Sequence, residues 1–196
     1  MRLQWAMVNM RRPQPVPMLL LLAAALYAVP VHGAEEKVGL VISGGHETDP
    51  RDKGRPVRLI AGALGVTADV FRDAFSHVKP APAGEEPDPE QVRRYKTALM
   101  DALGRYGVTN ERLDEVSNYY RYDRRRGEMW PTTPATAYAV VKDGVVTSVV
   151  ITSPGAGYSS APNVSAPDRS GLGFKAVLRF DRDFAKNGSI ESIAAE

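Results

Sequence analysis

The sequence predicts an α+β protein, with N-terminal helical hairpins followed by an antiparallel β-repeat module. Three observations carry that reading. Apolar residues recur at helical spacing between Pro56 and Tyr120, and they alternate as in strands after Trp130. Asp143-Gly144 sits between two alternating runs and signals a two-residue hairpin turn. An offset of 44 residues carries Gly144, Val146, Ser148 and Val149 onto Gly188, Ile190, Ser192 and Ile193, as in a repeated supersecondary unit. The expected divisions are a signal peptide over 1–34, a helical domain over 35–130 and a β-repeat module over 131–196.

Met18 to Val29 is an unbroken apolar run. Arg2, Arg11 and Arg12 precede it, and Val31-His32-Gly33-Ala34 follows. A cationic start, a short apolar middle and small residues at the end form the layout of a secretory signal. The run is too short to cross about 30 Å of hydrocarbon. A mature chain starting at Ala34 or Glu35 is expected. Its place is secreted, periplasmic or at the cell surface, with membrane contact only through an uncleaved leader.

Val38-Gly39-Leu40-Val41-Ile42 reads as one short strand, and Gly44 to Arg55 as a polar loop. Pro56 suits the first turn of a helix over Val57–Leu64, stopped by Gly65. Thr67 caps the next helix, whose apolar face is Phe71, Ala74, Phe75 and Val78. His77, near its end, suits the negative pole of the helix. Lys79 to Pro89 is a Pro-rich connector. Asp88, Pro89 and Gln91 then form a helix-start signature, with Gln91 placed to reach back to the cap. Val92, Tyr95, Leu99, Leu103 and Tyr106 mark the expected buried face of that helix. Gly107 closes it, and Thr109 caps a last helix with Leu113, Val116 and Tyr120 inward. In the β part, Tyr138–Lys142 and Val145–Thr152 flank the Asp143-Gly144 turn. Phe174–Phe180 alternates again, and Asn187-Gly188 offers a second turn.

Composition narrows the function. The whole chain carries 25 Lys+Arg and 23 Asp+Glu. Three of the cations and none of the acids lie in the leader, so the remainder is nearly neutral. Net charge therefore gives no case for nucleic acid as a partner. The chain has no cysteine, which excludes disulfides, a thiol nucleophile and a thiolate metal site. No cofactor is implied.

Gly144-Val145-Val146-Thr147-Ser148-Val149-Val150-Ile151-Thr152, then Pro154-Gly155-Ala156-Gly157-Tyr158, then Ala161-Pro162-Asn163-Val164, resembles a β-repeat of bacterial surface and phage tail-fibre proteins. Pro154 stands where that repeat usually has its first glycine. The resemblance covers about residues 136–196 and implies an extracellular scaffold module. Read physically, Gly155 and Gly157 open backbone angles closed to other residues. Tyr158 is expected to lay its ring over the turn with its hydroxyl in solvent.

Two stretches carry candidate chemistry. His46, Glu47, Asp49 and Asp52 bring one nitrogen and several oxygens, a donor set for a divalent cation. The bland alternative is a loop held by Asp and Thr hydrogen bonds ahead of Pro56. The second stretch holds Tyr119, Tyr120, Arg121, Tyr122, Arg124, Arg125, Arg126 and Trp130. Arginine forks and aromatic faces suit phosphates, carboxylates or sugars. Alternatively, Tyr119, Tyr120 and Trp130 pack the helical part onto the β part while the arginines stay in water. The expectation is a non-enzymatic structural or binding protein of the cell envelope. Its partner would be an anionic envelope polymer or another surface protein. The alternative is a hydrolase or metal-dependent enzyme centred on the His46–Asp52 loop.

Overall fold

The computed structural model describes residues 34–76, 78, 88–169 and 171–196. The leader ahead of Ala34, His77 and the connector over 79–87 lie outside the described residues, and so do the readings that fall on them. Among the described residues, no helix is long and apolar enough to cross a membrane. Gly33–Glu196 form one unit of mixed α+β structure.

Local capping chemistry sets the helices. α1 (Val57–Leu64) ends at Gly65, whose positive φ of 73° lets its N–H return to Ala61 and Gly62 carbonyls. α2 (Ala68–Ser76) begins where Thr67 Oγ1 accepts from Val70 N at 3.2 Å. α3 (Pro89–Leu103) begins where Asp88 accepts from Glu90 N at 3.0 Å. The expected return bond from Gln91 is not made, because Gln91 Nε2 donates to Tyr95 Oη at 2.8 Å instead. α4 (Asn110–Tyr119) is capped by Thr109, which accepts from Arg112 N at 3.2 Å.

The helices share one core. Leu59, Leu64, Leu103 and Val116 are fully buried there, joined by Phe71, Leu113, Tyr120 and Trp130. Phe180 and Phe184, from the far end of the chain, pack against the same core. The expected face of α3 needs correction. Val92 and Tyr106 are exposed, and Leu99, Met100 and Ala102 turn toward the core with Leu103. The inward stripe of α3 is therefore concentrated in its last two turns.

The strands are β1 (Glu36–Ser43), β2 (Thr136–Lys142), β3 (Val145–Ser153), β4 (Asn163–Ser165), β5 (Phe174–Arg179) and β6 (Ser189–Ala195). They form a six-stranded sheet in the order β3-β2-β1-β4-β5-β6, with every neighbour antiparallel. β1 is central. Its Glu36–Leu40 half pairs with β2, and its Val41–Ser43 end pairs with β4. A strand from the helical side of residue 130 thus joins the two halves of the sheet. The edge strands β3 and β6 approach each other, so the sheet is nearly a barrel. Val38, Ala137, Ala139, Val141, Val164, Ala176, Ile190 and Ile193 fill its interior.

The 44-residue offset has a geometric counterpart. Between β2 and β3, the pairing steps from Val140–Ser148 to Val141–Val146. Between β5 and β6, it steps from Val177–Ser192 to Leu178–Ile190. Both hairpins skip one residue at the corresponding place, Thr147 and Glu191, which is a β-bulge. The turns differ. Asp143 and Gly144 have φ of 52° and 80°, as the two-residue hairpin requires. Asn187 stays at negative φ and only Gly188 is positive, at 67°. Asn187-Gly188 therefore ends a longer connection over 180–188 and is not a second tight turn.

Candidate functional site

The two stretches that carry candidate chemistry meet on one side of the molecule. Loop 44–48 is laid along residues 157–160. Gly45 makes this possible: a Cβ there would lie 2.7 Å from the Tyr158 ring and 2.9 Å from Pro162 Cβ. Its carbonyl accepts from Ser159 N at 2.9 Å and Ser160 N at 3.1 Å. Ser159 Oγ donates to Glu47 O at 2.8 Å, and Ser160 Oγ bonds the Glu47 carboxylate. The Ser160 hydroxyl and backbone N–H groups hold the Glu47 carboxyl below its ordinary range, against a small opposing effect of burial.

The floor is the Gly157-Tyr158 corner. His46 stacks on Tyr158, with ring centroids 5.1 Å apart and planes 12° from parallel. Its Nδ1 lies 3.3 Å from Gly157 O, and Trp130 Nε1 donates to the same oxygen at 2.8 Å. The Tyr158 hydroxyl, expected in solvent from the sequence, is buried instead. The residue is 4% exposed, and its oxygen accepts from Ala135 N at 2.9 Å. The reason is the Thr133–Ala156 bridge, which brings the 133–135 backbone over the ring.

The far wall comes from segment 119–130. Tyr122 Oη donates to Gly54 O, and the Arg124 guanidinium lies where a Cβ on Gly54 would stand. Tyr122 and Trp130 meet edge to face at 5.3 Å. Between the walls runs a cleft of about 550 Å³, whose lining includes Tyr122, Arg124, Met129 and Trp130 together with two carboxylates, Glu47 and Glu128. Burial raises the Tyr122 phenol pKa, and Arg124 opposes that rise. Arg124 has no carboxylate partner among the described residues, whereas Arg125 and Arg126 stand 3.4 and 3.9 Å from Asp123.

The remaining candidates go elsewhere. Tyr119 stacks on Phe184 at 4.0 Å and Tyr120 meets the same ring edge-on at 6.0 Å, so both pack helix against sheet connection. Arg121 lines a separate groove beside α3. The four proposed metal ligands are not one donor set. His46 is committed to the Gly157-Tyr158 corner and Glu47 to Ser160. Asp49 bonds Arg51 at 2.7 Å, which with Arg72 holds its carboxyl well below the usual range. Asp52 is buried and takes the Arg72 fork at 2.8 and 2.9 Å. The physical cause is the short 3-10 turn over Pro50–Asp52, capped by Asp49, which leaves Asp49 between Arg51 and Arg72 and turns Asp52 inward onto the Arg72 fork. Among the described residues, no three His, Asp or Glu side chains gather where a metal ion could sit.

One residue behind the site escapes sequence reasoning. Asn187 is wholly buried. Its Nδ2 donates to Leu59 O at 2.6 Å and to Tyr120 Oη at 2.8 Å, and its Oδ1 accepts from Asp181 N at 3.0 Å. Its own carbonyl accepts from Gly157 N at 2.8 Å, at the cleft floor. Asn before Gly signals a turn, which hides this role. Comparison with family models, with curated proteins and with solved structures gave no match.

Proposed function

We propose that this is an exported, non-enzymatic binding protein of the cell envelope, which grips an anionic envelope polymer in the cleft between loop 44–48 and segment 122–130. One observation carries the reading: Arg124, without a carboxylate partner among the described residues, stands beside Tyr122, Met129 and Trp130 on a cleft of about 550 Å³. A guanidinium next to Tyr122 and the exposed Met129 thioether suits a charged sugar, whose acid group takes the fork and whose ring lies on those two side chains, with Trp130, 4% exposed, backing the cleft. The export signal read in the leader supplies the compartment. The shared bulge of the two hairpins supports reading the sheet as a duplicated β unit that acts as a scaffold.

The non-enzymatic part rests on how the polar groups are used. His46 faces a carbonyl oxygen, and the neighbouring carboxylates are held by Ser160 or by arginines. The hydroxyl beside Glu47, that of Ser160, has no imidazole bonded to it, so the Ser-His pairing of nucleophilic catalysis is not formed among the described residues.

The test is retention on immobilised polygalacturonate. The full chain should be retained at low salt and released as salt rises, since exposed charges are screened over about 8 Å at physiological ionic strength. Arg124→Ser should weaken retention most among the single arginine changes. Arg93→Ser, on exposed α3, should leave it unchanged. Retention that ignores salt, or that Arg93→Ser reduces as much as Arg124→Ser, would refute the proposal.

A further inference from the structure

A second cavity lies beside the 51–55 turn, among a separate set of side chains. It measures about 300 Å³. Its apolar lining is Val57, Phe71, Phe75 and Val78, and four basic side chains stand around it with a single acid, Asp52. Asp52 is already spent on Arg72, which donates to both its oxygens and also reaches Asp69 at 2.9 Å. Arg51 is tied to Asp49. Lys53 and Arg55 are left without a carboxylate among the described residues.

Arg55 is the unusual group. Its guanidinium is half-buried and lies 4.7 Å above the Phe75 ring. Burial lowers its pKa, with Tyr122 and Asp52 opposing. A guanidinium has five N–H donors. Among the described residues one acceptor meets it, Asp52 O, at a long 3.5 Å. The remaining donors are open to the cavity and its water, since no buried side-chain nitrogen among the described residues lacks a partner. An anion entering the cavity would meet those donors. Lys53, held at a positive φ of 51°, lines the same space.

We propose that this cavity binds a small aromatic anion, its charged head between Lys53 and Arg55 and its flat body against Phe75 and Val78. Phe71, 4% exposed, stacks on Phe75 at 5.5 Å and 24° and fixes that ring. The volume is at the lower end for a small-molecule site, which fits a ligand of one or two fused rings. The proposal does not rest on the envelope-polymer reading, because it uses neither Arg124 nor Trp130.

Calorimetry on the full chain with 1-naphthyl phosphate tests it, with 1-naphthylmethanol and inorganic phosphate as the two half-probes. The aryl phosphate should bind saturably and at least about tenfold more tightly than either half, since charge-assisted and apolar contacts act together. Arg55→Gln and Lys53→Asn should each weaken it by about tenfold. Arg55→Gln also removes the ring contact to Phe75, so the exposed Lys53→Asn, which suits the left-handed backbone there, keeps the test decisive. Equal binding of the uncharged 1-naphthylmethanol, an unchanged Kd in Lys53→Asn, or no saturable binding of the aryl phosphate would each overturn the proposal.

Discussion

Replacing Asn187 with Ala should destabilise the protein far more than a turn residue ordinarily does. The side chain joins α1, the end of α4 and the start of the 180–188 connection through three hydrogen bonds. Alanine leaves the buried Tyr120 Oη without its partner, frees Asp181 N nearer the surface, and removes the second donor from Leu59 O, which keeps its place in the α1 hydrogen-bond ladder. A buried group left without a partner costs about 1–3 kcal/mol. Counting Tyr120 Oη fully, adding about 1 kcal/mol for the lost bond to Leu59 O and letting water recover Asp181 N gives about 2–4 kcal/mol. For a unit of this size that corresponds to a drop of roughly 4–16 °C in Tm. Asn187→Asp keeps the shape but turns a carboxylate oxygen toward Leu59 O, where a donor stood 2.6 Å away. Burial and that repulsion should raise the folded pKa of the new Asp above about 3.9. Its share of stability is then present below about pH 4 and lost as pH rises through the folded value. Thermal unfolding of the three proteins at pH 4 and pH 7, followed by circular dichroism, reads both effects. An Asn187→Ala cost under about 1 kcal/mol, well below that of a buried orphan, or an Asn187→Asp cost equal at both pH values, would refute the reasoning.

Three further outcomes follow from the same geometry. Burial pushes the Tyr120 phenol up to about 12, partly offset by Asn187. Stability tied to that neutral phenol is intact below about pH 10 and is lost between about 10 and 12, by about 2–3 kcal/mol. The alkaline slope of Tm should therefore be shallower in Tyr120→Phe. Gly144→Val should cost about 1 kcal/mol or more through backbone strain alone, because nothing lies within 4 Å of the added Cβ; an unchanged urea midpoint would count against the hairpin geometry. Trp130→Ala empties a site that is 4% exposed and removes the bond to Gly157 O, so unfolding should show a loss of about 3–5 kcal/mol.

Features governed by near neighbours were legible in the sequence. Thr67, Asp88 and Thr109 cap the helices they were expected to cap, and Asp143-Gly144 turns the hairpin it was expected to turn. Each needs only residues a few positions away. Val38 to Ile42 reads correctly as a strand, yet its central place depends on partners over 137–141 and 163–165, which no local pattern encodes. Tyr158 was misread for the same reason, since the N–H that satisfies its hydroxyl belongs to Ala135, across the Thr133–Ala156 bridge. Val92, in the first turn of α3, and Tyr106, in the 3-10 turn that follows it, continue the apolar spacing but are exposed, so periodicity overstates their burial. The polar loop and the basic aromatic segment were each visible. Their meeting across one cleft was not, because it depends on Gly45 and Gly54 letting two distant stretches close in.

The central claim is that the polymer occupies the cleft beside Trp130. The chain has two tryptophans, Trp5 and Trp130, so Trp5→Phe leaves Trp130 as the single indole reporter. Titrating that variant with soluble polygalacturonate should shift Trp130 emission saturably, and the shift should vanish in Arg124→Ser and at high salt. Polymer that binds with no change in Trp130 emission would contradict the account and place the binding surface outside the cleft.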